Sequence, residues 1–346
     1  MNRIAIVFLA LAAATPARAG FLVFDAPGAG TKAGQGTYAY SVNEQNLVVG
    51  NVIDKDGKIA GYNKANFNDA QVFHAVDGLE THAVDVNGFS NVVGYYTDAG
   101  GTNRGYVLGG DSQGQFAAPG ATGTQAIAID DKGQVAGQYS DNKGVQHGFL
   151  RKASGKILKF DVGTGGGLGT FVTDMSNDQT IVGFWFDSNT AMHGYIRDMK
   201  GNVTALDLGG TGALQGTQVE SINASGAAAG FYTDAGGVHH GFLYQPGGKT
   251  TTFDAPGAGR ASGEGTVVAG INAHRVVVGY YLDGNHVAHG FERRPTGKFA
   301  VFDAPHAGSV PGTGTFPSHI NDQDVLAGTA LDGHGVAHGW FGAKTK

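Results

Sequence analysis

Five side chains could do chemistry together. Asp85, Asp174, Glu220 and His319 stand nine or ten residues before a glycine that recurs along the chain, and His82 lies close by on the same stretch as Asp85. Three carboxylates with one or two imidazoles can bind a cation, or hold an acid and a base for hydrolysis or elimination on an acidic sugar. Other copies carry Tyr40, Ser41, Ile127, Ala128, Ala269 and Gly270 there, so these five depart from a pattern. The plainer reading is a hydrated channel with scattered polar groups. No His-Glu-x-x-His motif and no cysteine accompanies them.

Other polar residues follow the pattern. An aspartate stands four positions after the recurring glycine in every copy: Asp54, Asp98, Asp141, Asp187, Asp234, Asp283 and Asp332. A histidine stands ten after it in five copies: His147, His193, His240, His289 and His338. Each aspartate sits where a hairpin starts and can accept backbone N–H bonds. Each histidine can tie neighbouring strands. A residue present in every unit serves the unit, so both sets read as structural.

The units behind these offsets are seven, aligned on Gly50, Gly94, Gly137, Gly183, Gly230, Gly279 and Gly328. Eleven residues on comes a second glycine and then an aromatic (Gly241-Phe242 in the fifth). Thirteen before comes a threonine, and seven before an Asn, Asp or Ser. Each unit reads as four short strands: threonine to turn-former, a strand like Val276–Tyr281, a His-Gly-aromatic strand, and a Phe-Asp strand closed by Ala-Pro-Gly. A glycine inside a strand marks close backbone approach or a bulge. Nothing has the apolar spacing of a substantial helix. Four strands per unit and a period in the forties predict an all-β fold, a seven-bladed β-propeller of four-stranded antiparallel blades. The last copy ends before its fourth strand, and Phe21–Pro27 is a spare one. Pairing the two closes the ring and removes an open edge.

The His-Gly-aromatic motif resembles that of the HAF-repeat family of extracellular repeat proteins, over nearly the whole chain beyond residue 19. It fits five copies; Ala60 and Arg104 replace the histidine in the other two. The resemblance implies repeats and export, and brings no catalytic residues with it.

Residues 1–19 read as a secretory signal: Arg3, an apolar run from Ile4 to Ala13, then Ala17-Arg18-Ala19 before Gly20. The expected product is a single domain, 20–346, secreted or periplasmic. Without Arg3 and Arg18 it holds 21 basic and 29 acidic side chains, net −8, which argues against a nucleic-acid partner. No later stretch is apolar enough for a membrane span. The chain is read as a monomer with no cofactor. Its function is read as a non-catalytic module for a carbohydrate or an extracellular protein ligand. The alternative is an enzyme acting on polysaccharide, a lyase or glycoside hydrolase using the carboxylates Asp85, Asp174 and Glu220 near the central channel, two of which would have to face each other across roughly 5–10 Å.

Overall fold

The computed structural model describes residues 20–65, 68–163 and 167–343. The expected signal segment, 1–19, lies outside them. Among the described residues there are twenty-eight strands and no helix, and hence no helix long and apolar enough to cross a membrane. The strands fall into seven antiparallel groups of four in which neighbours in sequence pair. The first strands of the groups are Gly36–Val42, Thr81–Val86, Gly123–Ile129, Gly169–Met175, Gly216–Ile222, Gly265–Ile271 and Gly314–Ile320. Each lies against the first strands of both neighbouring units, and Gly314–Ile320 lies against Gly36–Val42. This is the arrangement of a β-propeller, with the first strands innermost.

The seventh group takes its fourth strand from the other end of the chain. Gly20–Phe24 pairs antiparallel with Ala337–Ala343, from Gly20 opposite Ala343 to Phe24 opposite Gly339. The substitution is complete in detail. Asp25 Oδ1 lies 2.9 Å from His338 Nδ1, as Asp254 Oδ1 lies 2.8 Å from His240 Nδ1 within one unit. Lys64 of the first unit sits 5.2 Å over the Phe24 ring, as Arg151 sits 4.9 Å over Phe116 and Arg197 4.5 Å over Phe160.

The recurring residues bind the units to one another. All seven threonines are buried, and each hydroxyl accepts an N–H from the segment that follows the preceding fourth strand. Examples are Ala26 N to Thr37 at 2.8 Å and Ala304 N to Thr315 at 2.9 Å. The asparagine turn-formers donate to the next turn-former's carbonyl, Asn43 to Asn87 and Asn272 to Asn321. Asn321 donates to Asn43 at 2.9 Å, across the chain ends. The aromatics from Tyr62 to Trp340 that follow the second glycine have no exposed surface. Apolar cores lie between units: Ala229 and Leu243 of the fifth pack with Val268, Val277 and Phe291 of the sixth.

The hairpin aspartates each accept two backbone N–H bonds, for example Asp141 Oδ1 from Lys143 (2.8 Å) and Val145 (3.0 Å). All seven carboxyls titrate below the usual aspartate range. In Asp54, Asp98 and Asp187 a backbone bond, and in Asp234 the Val238 amide, is the largest cause. In Asp141, Asp283 and Asp332 partial burial opposes the shift and is outweighed by the bonds. A depressed carboxyl stabilises the fold above the unfolded-state value, and that stabilisation disappears as pH falls through the folded-state value. Thermal melts across pH are therefore expected to fall steeply only below about pH 4. A midpoint already falling on the way from about pH 6 to about pH 5 would contradict this.

Candidate functional site

Burial along the first strands shows which side chains reach the opening. From the buried threonine onward, exposure alternates in every unit: the next residue is open, the next buried, the next open. The outer open tier is Tyr38, His82, Gln125, Phe171, Gln218, Val267 and Phe316. The inner tier is Tyr40, Val84, Ile127, Thr173, Glu220, Ala269 and Ser318. Each inner-tier residue is the extra residue of a β-bulge, at the register shift between Ala39 and Ser41 in the first unit and between Val219 and Ser221 in the fifth. The bulge resets the alternation.

The five residues expected to share the opening therefore divide. Glu220 belongs to the inner tier. Asp85, Asp174 and His319, one position further on, turn sideways to the next unit. Asp85 accepts from Ser41 Oγ (2.7 Å) and Ile129 N (3.0 Å). Asp174 accepts from Ser221 Oγ and Ile222 N, both at 2.9 Å, and from its neighbour Met175 N at 2.7 Å. His319 Nδ1 lies 3.1 Å from Val42 O and 3.4 Å from Val42 N. His82 stands in the outer tier, stacked on Tyr95 at 4.4 Å and 3.2 Å from the Asn51 amide nitrogen. Burial holds its pKa down, with Glu80 pulling the other way.

These groups still feel one another. Burial pushes the Asp174 carboxyl up; the Ile222 N–H opposes this, the Asp85 charge adds to it, and His319 and Ser221 oppose it. Burial and the Asp174 charge push Glu220 up to about 7. Glu220 accepts no hydrogen bond among the described residues, although part of its surface opens to the channel. Among the described residues no three His, Asp or Glu side chains gather closely enough to hold a metal ion.

A cleft of about 300 Å³ runs between the fourth, fifth and sixth units, and Gln218, two residues before Glu220 on the same strand, lines it. Phe184, Phe186, Phe231 and Tyr280 give it aromatic walls, with Leu214 at its lip. Its polar groups are Gln218, Thr233 and His239, whose Nδ1 lies 2.9 Å from Thr233 Oγ1. Burial, then the neighbouring His240, holds the His239 pKa below the usual imidazole value, with Asp234 opposing. Burial, and after it the Glu220 charge, raises the Tyr280 phenol. A second cleft, about 290 Å³ between Asp56–Ile59 and Gly78–Glu80, has no aromatic wall.

The repeat histidines face carboxylates on both ring nitrogens. Nδ1 of His147, His193, His240, His289 and His338 lies 2.6–2.9 Å from an aspartate at the end of a fourth strand, and Nε2 faces the hairpin aspartate. Trp185 stacks on His193 at 4.3 Å. In the second unit Arg104 Nε takes the same hairpin partner, Asp98, at 3.0 Å. The string Gly110-Asp-Ser112-Gln-Gly114 has the spacing of a hydrolase nucleophile turn, which requires strand, turn and helix. It lies instead between two strands, Asn103–Leu108 and Gly114–Phe116.

Apart from His82, the sequence reading missed the outer tier, and it missed the aromatic cleft. Counting in twos from the invariant threonine would have found the outer tier. The cleft draws on three units and carries no sequence signal.

No protein-family model matches the chain, and no curated protein matches it. Solved structures resemble it at low identity. A prolyl endopeptidase, from a study of two such enzymes, shares 10% identity over 92% of this chain and 50% of its own, TM-score 0.53. Puromycin hydrolase shares 12% over 89% of this chain and 50% of its own, TM-score 0.53. The Aleuria aurantia lectin, described as a six-bladed β-propeller with a fucose recognition mode, shares 15% over 77% and 88%, TM-score 0.43. These are likenesses of fold.

Proposed function

We propose that the chain is an exported member of the HAF-repeat family whose residues 20–346 form one seven-bladed ring, closed by the N-terminal strand. Its role is to bind carbohydrate without chemistry, in the cleft beside the channel mouth. One observation carries this reading: Asp85 and Asp174 are occupied by amide and hydroxyl donors of neighbouring units, which leaves Glu220 without an opposed free carboxylate. A glycoside hydrolase needs two acids across the bond it breaks, so this weighs against hydrolysis. What remains is a concave aromatic wall with a few polar groups. That is the composition of a ligand site, and the flat faces of Phe231 and Tyr280 suit the C–H face of a sugar ring.

A glycan array probed with residues 20–346 tests the reading. Binding to at least one glycan is expected, weakened roughly tenfold or more by Phe231→Ala and by Tyr280→Ala, each an aromatic anchor worth about 2 kcal/mol. An array with no bound glycan, or affinities untouched by both substitutions, overturns it. Capture of an extracellular protein instead would replace the sugar with a protein ligand.

A further inference from the structure

The charge around the cleft is one-sided. The two open tiers and the residue after each recurring glycine (Asn51, Tyr95, Gln138, Phe184, Phe231, Tyr280, Thr329) contain no lysine and no arginine. They contain one carboxylate, Glu220. It has no hydrogen-bond partner among the described residues, it stands on the same open face of its strand as Gln218, which lines the aromatic-walled cleft, and its charge reaches Tyr280, which lines the cleft too. Behind it stands Asp174, a second acid already held by its own partners. An acidic ligand would meet repulsion here with no cation to offset it. A neutral ligand would leave Glu220 enclosed without a partner, whether it keeps its charge or takes up a proton. A ligand ammonium answers both: it pairs with the carboxylate, and aromatic ring faces attract it.

We infer that the ligand is cationic, a carbohydrate bearing an ammonium group that pairs with Glu220 while its ring lies along Phe231 and Tyr280. The inference rests on the proposed binding role. It also has a pH signature. Beyond burial, Asp174 acts on Glu220, with Asp85 and His319 acting through Asp174, and Glu220 in turn acts on the Tyr280 phenol. Asp174 favours the protonated form of Glu220, and a bound cation favours the ionised form.

The test is calorimetric titration of residues 20–346 with two sets of oligomers of equal length. One is N,N,N-trimethylglucosamine, cationic at every pH; the other is N-acetylglucosamine, neutral. At about pH 7.5 the cationic oligomers are expected to bind about tenfold or more tightly, the scale of a desolvated cation against aromatic faces and one carboxylate. Glu220→Gln is expected to abolish the preference, and so is a fall to about pH 5.5, where the unliganded Glu220 holds its proton. Equal binding, or a preference that survives Glu220→Gln, overturns the inference and leaves the carbohydrate reading standing. If neither set binds but the array shows other glycans, the inference alone fails; if the array is also blank, both fail. Should the variant not fold, the wild-type preference and its pH profile decide: a preference unchanged at about pH 5.5 refutes the pairing.

Discussion

Gly94→Ala is expected to abolish folding at ordinary temperature. A Cβ at Gly94 would stand 1.8 Å from the carbonyl oxygen of His82, which also accepts the Tyr106 hydroxyl at 2.9 Å. The same approach recurs in every unit, from 1.8 Å at Gly94 to 2.4 Å between Gly328 and the Phe316 carbonyl. It follows from the bulge, which swings that carbonyl across the second strand. The obstacle is backbone within a sheet, so no rotamer change relieves it. A cost of about 4–5 kcal/mol or more, the range reserved for such mechanisms, reaches the lower end of a typical stability of about 5–15 kcal/mol. Circular dichroism and solubility of the variant check this. Gly284→Ala is the control, because a Cβ there meets nothing within 4 Å. A Gly94→Ala protein melting within a few degrees of wild type would mean that the close approach is absent.

Trp340→Ala is expected to cost about 3–5 kcal/mol and to release the N-terminal strand. Trp340 has no exposed surface, and its ring lies 4.8 Å from Phe21 and 5.8 Å from Phe302. It thus packs the one blade built from both chain ends. Phe242→Ala removes the equivalent ring of the fifth unit and should cost a similar amount through a similar cavity. The difference lies in where the molecule opens. Only Trp340→Ala should speed hydrogen exchange at 20–24 ahead of global unfolding. Equal protection there in both variants would show that the closure does not depend on this residue.

Glu220 and Asp174 add a counter-current to the acid behaviour of the hairpin aspartates. Their folded-state values are raised, so their contribution is full below the unfolded-state range and declines as pH rises through the folded-state value, about 7 for Glu220. The stability maximum is thus expected on the mildly acidic side of neutrality.

Everything that serves its own unit was legible in the chain. The glycine that admits a carbonyl, the aspartate that caps its hairpin and the histidine that ties two strands act on partners at fixed offsets. Repetition at one period exposes such residues seven times over. The spare Phe24-Asp25 was readable as the missing strand for the same reason: it is a repeat fragment out of place. The facing of Asp85, Asp174 and His319 was not. One extra residue per first strand shifts the side-chain phase, and the partners that capture Asp85 and Asp174 lie 44 to 48 residues away, in other units. The aromatic cleft joins side chains of three units that no local pattern connects. Fixed spacing therefore determined the blade, whereas the phase set by the bulge and the packing of one unit on the next decided where a ligand can sit.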